Sequence, residues 1–92
     1  MNWRVIWRKR TAERLSVYQF LARERGRDPL ALPRAIEEID RLLSRDPLTI
    51  GESRHGNERV LIAHPLSVFF EAFEDEMVVL IYAAVHYPSM RA

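Results

Sequence analysis

A stripe of apolar residues near the middle of the chain is the sequence feature that most limits the possible folds. Its members recur every three or four positions: Leu32, Ala35, Ile36, Ile39, Leu42 and Leu43. This spacing places them on one face of a helix, opposite charged residues such as Glu37 and Arg41. The helix should end at Arg45, because Asp46 precedes Pro47 and avoids the helical region. A face of this kind must pack against other elements of the fold.

The residues before this stripe predict a strand and a first helix. Trp3, Val5 and Trp7 alternate with more polar neighbours, which is typical of a short strand. Apolar residues then recur at near-helical spacing from Arg10 to Arg25, and Gly26 is a natural C-terminal stop.

The second half of the chain predicts a loop followed by strands. Pro47 to Glu58 is rich in glycine, serine, asparagine and charge, which favours a surface loop. Three β-rich runs follow, separated by His64-Pro65 and by an acidic turn: Arg59 to His64, Leu66 to Phe73 and Met77 to His86. The last run is apolar at successive positions, which favours a central strand covered on both faces.

The order of elements predicts an α+β fold, in which a helical hairpin packs on one face of a small, mostly antiparallel sheet. The opposite face would be open to a ligand. The first strand can pair in parallel beside the last, because the helical hairpin provides the long crossover that parallel pairing requires. A chain of 92 residues has room for a single domain spanning 1–92.

Composition excludes several classes of protein. The chain has no cysteine, so it cannot use disulfides or a thiolate metal site, and its three histidines lack the spacing of metal ligands. We therefore expect no metal and no cofactor. The longest apolar run, Met77 to Val85, is much shorter than the roughly 20 residues of a membrane-spanning helix, and no signal-peptide pattern is present. These features predict a cytoplasmic protein without membrane contacts.

Several short motifs occur in a characteristic order along the chain. They are Trp3-Arg4-Val5-Ile6-Trp7, Ile39-Asp40-Arg41-Leu42-Leu43 before Asp46-Pro47, Arg59-Val60-Leu61, and Pro65-Leu66-Ser67-Val68-Phe69-Phe70 before an acidic turn and a valine-rich strand. Together they resemble the RelE/ParE superfamily over essentially the whole chain. The resemblance implies a toxin of a bacterial type II toxin–antitoxin module, which a cognate antitoxin protein neutralises by wrapping its surface.

The end of the last strand points to a subgroup of that superfamily. Ala84-Val85-His86-Tyr87 is similar to the terminal His-Tyr pair of YoeB-type toxins, which cleave messenger RNA in the ribosomal A site. The resemblance also places Glu52 and Arg54 in the loop where such toxins have a catalytic acidic residue and basic neighbours. It implies a ribosome-dependent endoribonuclease that works without a metal.

The chemistry of RNA cleavage assigns a role to each of these residues. Attack by the 2′-hydroxyl needs a base, an acid for the departing oxygen, and cations for the phosphate. His86 titrates near neutrality and Glu52 can be its partner in proton transfer. Arg54 and Arg59 can bind the phosphate in a forked geometry, and Tyr87 can stack on a base. From the residues alone, Glu52 and Arg54 also fit an ordinary exposed ion pair.

Two other functions fit the same sequence. Ribosome-dependent members usually carry an arginine where this chain has Val68, and the basic ending of RelE is replaced here by Tyr87 and Pro88. These departures leave room for a ParE-like inhibitor of DNA gyrase that binds without catalysis, or for a decayed toxin that only binds its antitoxin. In either case His86 would be merely a solvated strand end.

Overall fold

The computed structural model describes residues 2–87, which form two helices and five strands. In chain order they are β1 (Arg4–Trp7), α1 (Lys9–Glu24), α2 (Ala31–Arg45), β2 (Glu52–His55), β3 (Glu58–Ala63), β4 (Leu66–Phe73) and β5 (Val78–His86). The predicted α+β fold with a helical hairpin is confirmed. Neither helix of the described chain is long and apolar enough to cross a membrane.

The strands form one sheet in the order β1-β5-β4-β3-β2. Strands β2 to β5 pair as antiparallel neighbours, whereas β1 pairs with β5 in parallel, with Arg4 opposite Val78 and Trp7 opposite Ile81. The predicted parallel pair is therefore present, and the two helices form its crossover. Strand β5 lies between β1 and β4, which agrees with its continuous apolar sequence.

The hydrophobic core lies between the helices and one face of the sheet. Alternate residues of β4 point into it, and Leu66, Val68 and Phe70 have no exposed surface. The apolar stripe of α2 meets them there, with Ile39 and Leu43 equally inaccessible. The stripe predicted from helical spacing therefore packs on the sheet as expected.

The beginning of α2 accommodates a proline, Pro33, without loss of a helical hydrogen bond. Asp28 accepts a hydrogen bond from the N–H of Leu30 at 2.9 Å and so orders the turn before the helix. The helix itself begins at Ala31, which places Pro33 in the first turn. The N–H groups of the first turn have no carbonyl partner within the helix. A proline there, which lacks an N–H, therefore removes no helical hydrogen bond.

Hydrogen bonds attach β1 to the last turns of α2. The indole N–H of Trp7 donates to Asp40 Oδ1 at 2.8 Å, and the backbone N–H of Trp3 donates to the carbonyl of Ser44 at 2.8 Å. Trp3 itself is buried just before the strand begins. These contacts fix where β1 lies, and hence where it ends beside β5.

The prediction of an unbroken loop from Pro47 to Glu58 was wrong, because this segment contains β2. All four residues of β2 are exposed, so the strand has no apolar alternation that could have marked it. Its signal is Gly56-Asn57, which joins β2 to β3 as a two-residue hairpin turn in which Gly56 has φ of +60°. The sheet therefore has one more strand than predicted.

Gly51 should be the least replaceable glycine of the chain. It precedes β2 with φ of +80°, and a Cβ added there would lie 2.3 Å from the carbonyl oxygen of Val60. Gly26 has a similar φ of +67° but open space around it. We expect Gly26→Ala to lower the free energy of unfolding by about 1–2 kcal/mol, the cost of left-handed backbone. Gly51→Ala should cost distinctly more in urea titrations, and equal losses would contradict this explanation.

Candidate functional site

His86 lies at the end of β5, on the side of the sheet that faces the helices. It pairs with the fully buried Leu66, and its ring contacts the ring of Tyr18 on α1, with centroids 4.9 Å apart and planes 33° apart. Tyr18 is itself half-buried against the core. The imidazole is therefore held by packing from one side and remains partly accessible from the other.

The surroundings of His86 disfavour its charged form. Burial lowers the pKa of the imidazole below its ordinary 6.5, and the positive charges of Arg27 and His64 lower it further. Arg27 lies in the connection that joins α1 to α2, and His64 lies in the turn between β3 and β4. The ring is therefore neutral at pH 7 and can accept a proton beside a permanent cation.

The lowered pKa of His86 should make stability depend on pH. The unfolded chain takes up a proton at this ring near pH 6.5, whereas the folded chain does so only at a lower pH. Its contribution is therefore intact above about pH 6.5 and is lost as the pH falls from there through the folded-state pKa. We expect the free energy of unfolding to fall less between about pH 8 and pH 5 in His86→Gln than in the wild type. Identical falls would count against the packed environment of this ring.

Tyr87 follows directly after the strand and is exposed on the surface. Its backbone N–H donates to the carbonyl of Pro65 at 2.7 Å, which ties the end of β5 to the turn before β4. This bond anchors the backbone and leaves the phenol ring free to contact another molecule. Pro88, the other residue of interest at this end, lies outside the described residues.

Glu52 and Arg54 are exposed on β2, far from His86. Glu52 is opposite Val60, Val60 is opposite Phe69, and Phe69 is opposite Ala83, three residues before His86. Three strand spacings and three residues of rise separate Glu52 from His86 by on the order of 17 Å. This register also turns Glu52 toward the sheet face opposite the helices. The structure therefore does not bring the two predicted proton-transfer groups together.

Arg59 binds backbone atoms of its own chain. Its Nε donates to the carbonyl of Ile50 at 3.1 Å, and one terminal nitrogen donates to the carbonyl of Gly51 at 3.0 Å. These bonds hold the segment before β2 against β3. The predicted phosphate ligand thus has a structural role at the β2 hairpin, away from His86.

The open face of the sheet, on which neither helix of residues 2–87 packs, has an acidic centre and apolar surroundings. The Tyr82 hydroxyl donates a hydrogen bond to Glu58 Oε2, and burial, this bond and the charges of Glu58 and Glu71 all raise the pKa of Tyr82. Half-buried side chains such as Phe69 and Leu80 surround this group. The prediction that β5 is covered on both faces was wrong, because both described helices lie on the other side.

The position of Val68 is buried within the core. The sequence resemblance predicts an arginine at this position for a ribosome-dependent toxin, but here the side chain of Val68 is inaccessible and packs under the helices. Its neighbours Ser67 and Phe69 point to the open face instead.

A cavity of about 480 Å³ lies at the opposite end of the molecule from His86. Acidic residues of β4 and of the turn after it form much of its wall: Glu71, Glu74, Asp75 and Glu76. A surface with this charge repels a phosphate. Among residues 2–87, no group of three or more histidine, aspartate and glutamate side chains is placed to hold a metal ion.

Sequence reasoning missed the neighbours of His86. Tyr18, Arg27 and His64 come from α1, from the connection between the helices and from the turn before β4. His64 is a turn residue, as its Pro65 neighbour predicts, but its closeness to His86 follows from the pairing of β4 with β5. The sequence shows only that Arg10, Arg14 and Tyr18 follow one another at four-residue intervals on α1, and this spacing does not indicate the contact with His86.

Comparison with known proteins supports the fold. No protein-family profile matches the chain, and no curated protein is a significant sequence match. Among solved structures, it resembles a chain of the RelBE2 toxin–antitoxin complex from Mycobacterium tuberculosis, with a TM-score of 0.71 and 16% sequence identity. The alignment covers 97% of this chain and 95% of the other. At this identity the likeness establishes a shared fold.

Proposed function

We propose that this chain is the toxin of a type II toxin–antitoxin pair and that it cleaves messenger RNA on the ribosome. The observation that carries the proposal is the fold likeness to a chain of the RelBE2 complex over nearly the full length of both chains. The motif order from Trp3 to Phe70 and the His86-Tyr87 ending support the same assignment independently, because they rest on residues and not on backbone shape.

A cognate antitoxin would cover the open face of the sheet. Phe69, Leu80 and Ile6 on β4, β5 and β1 leave apolar surface there that no helix of residues 2–87 covers. Glu58 and Glu71 make the centre of this face acidic. The antitoxin segment should therefore be amphipathic and should bring a basic side chain to this centre.

The cleavage step would use His86 as the base. The 2′-oxygen of the RNA attacks the adjacent phosphorus while its proton passes to the neutral imidazole, and the bond to the 5′-oxygen breaks. The cation that lowers the pKa of His86, Arg27, can stabilise the charge on the phosphate, and Tyr87 can stack on a base. Glu52, Arg54 and Arg59 lie too far away to act on the same phosphate. The departing 5′-oxygen takes a proton from solvent water, and His86 later returns its proton to solvent, so the products are a 2′,3′-cyclic phosphate and a free 5′-hydroxyl.

Induced expression in bacteria tests the proposal. We expect growth arrest together with new messenger RNA 5′ ends that fall at a constant position within codons. Arrest with intact messenger RNA and altered DNA supercoiling would replace this proposal with gyrase inhibition. Normal growth together with intact messenger RNA would instead indicate a chain that has lost toxicity.

A further inference from the structure

A groove runs between α1 and the edge of β5, and it exists because β1 is short. The pairing of β1 with β5 ends where Trp7 is opposite Ile81, and the last backbone bond between them joins Arg8 N–H to the Ile81 carbonyl at 2.8 Å. Strand β5 continues for five more residues, to His86. Beyond Ile81, α1 takes the place of a strand beside this edge.

The side chains along this groove are basic and aromatic. A cavity of about 130 Å³ lies between the two elements, lined by Arg10, Thr11, Arg14, Tyr82, Ala83 and Ala84. A shallower cavity of about 380 Å³ continues along the helix past Arg10, Glu13, Arg14, Val17 and Tyr18. We call the two together the α1–β5 groove.

Three of these residues form one column on the helix. Arg10, Arg14 and Tyr18 are spaced by four residues, so their side chains lie one above another on the same face. Tyr18 in turn contacts His86, at a centroid distance of 4.9 Å. The column therefore leads directly from two guanidinium groups to the imidazole.

The charge of this region is not balanced within the protein. Residues 8–27 contain seven basic and two acidic side chains, a net of +5, whereas the whole chain has fourteen and thirteen and a net of +1. Among residues 2–87 the single ion pair joins Glu38 and Arg41 on α2. Arg10 and Arg14 repel each other at this spacing, and Glu13 does not form an ion pair with either. An anionic partner would remove this repulsion.

We propose that the α1–β5 groove binds the backbone of single-stranded RNA and leads it to His86. Arg10 and Arg14 contact phosphates, and the ring of Tyr18 keeps His86 at the end of this track. The inference rests on the proposed function in one respect, since it names the surface by which the substrate of that reaction is held. Binding itself requires neither cleavage nor the ribosome.

The size of the groove favours RNA over an acidic peptide. An added strand would have to lie about 4.8 Å from the free edge of β5, but the first turn of α1, with Arg10 and Thr11, already lies beside that edge. About 130 Å³ is the volume of roughly four water molecules, which is room for the oxygens of a phosphate group. The aromatic pair at the end offers stacking, which nucleobases use and acidic side chains do not.

Binding of a short fluorescein-labelled 2′-O-methyl oligouridylate tests the proposal, because this RNA cannot be cleaved through its own 2′-hydroxyl. The variant Arg10→Gln/Arg14→Gln is compared with Arg34→Gln/Arg45→Gln, which removes the same charge from exposed positions of α2. The plot of log affinity against log salt has a negative slope, and loss of two phosphate contacts should make that slope less steep by about 1.4. Binding should weaken about 20-fold at 0.1 M salt. The α2 variant should bind like the wild type.

Three results would overturn the groove assignment. These are no measurable binding by the wild type, equal weakening in both variants, or displacement of the RNA by an equal concentration of polyglutamate. Because the probe is not cut, the assay is independent of the proposed reaction. Growth arrest with cut messenger RNA but normal oligouridylate binding by the α1 variant would remove the groove and keep the function. Weakened oligouridylate binding by the α1 variant, together with intact messenger RNA on expression of the wild type, would keep the groove as an RNA-binding surface and remove the ribonuclease.

Discussion

In the proposed reaction, replacing His86 by glutamine should lower the rate of messenger RNA cleavage in a translating extract by about 10²- to 10⁴-fold, the usual contribution of a general base. Glutamine fills a similar volume beside Tyr18 but cannot take the proton of the 2′-hydroxyl. The ring it replaces is neutral at pH 7, because burial and the charges of Arg27 and His64 lower its pKa. The rate is measured by primer extension on a defined messenger RNA over time.

His55→Gln is the matched control for this experiment. His55 is exposed at the end of β2, the edge strand that β3 and β4 separate from β5. The same chemical change there should therefore leave cleavage at the wild-type rate. Circular dichroism of both variants checks that the fold is retained. Wild-type cleavage by His86→Gln would show that this imidazole does not take part in the reaction.

Replacing Phe70 by alanine should lower the free energy of unfolding by about 3–5 kcal/mol. Its ring is completely inaccessible and lies at the centre of the core between β4 and the helices, so truncation leaves a cavity that the packed neighbours cannot fill. A domain of this size has a total stability of about 5–15 kcal/mol, so the loss is a large share of it. Urea titration followed by tryptophan fluorescence measures the effect.

Phe73→Ala makes the same chemical change on the same strand at an exposed position. Phe73 retains 38% of its surface at the end of β4, and we expect a loss of less than about 1 kcal/mol there. Similar losses at Phe70 and Phe73 would mean that β4 does not have the burial pattern described above. The comparison matters because the phenylalanines of β4 are alike in residue type, whereas the structure buries Phe70 completely and leaves Phe73 exposed.

The candidate site could be predicted only where its residues are neighbours in sequence. His86 and Tyr87 stay adjacent in any fold, so a motif at the end of the last strand was enough to select them. Whether Glu52 lies near His86 depends on how many strands separate β2 from β5, and the sheet places β3 and β4 between them. A sequence motif carries no information on that separation.

Tyr18 and Arg59 make contacts that neither their residue types nor their neighbours in sequence predict. Nothing local indicates that Tyr18 of α1 meets His86, because that contact depends on how the helix lies beside β5. Arg59 has the residue type of a phosphate ligand, but its guanidinium binds the carbonyls of Ile50 and Gly51. In both cases the partner is a distant or backbone group that residue type cannot identify.

By itself the sequence determined the elements whose signals are local: the apolar stripe of α2, the alternation of β1, the breaks at His64-Pro65 and at the acidic turn, and from their order the α+β class. Periodicity and turn chemistry act over a few residues, so they can be recognised in the sequence without knowledge of the fold. Only the tertiary structure decided that β2 is a strand, which face is open, and that β1 stops short of the end of β5. These features depend on strand pairing and helix packing between distant segments, and they place His86 beside α1 and its arginines instead of beside Glu52.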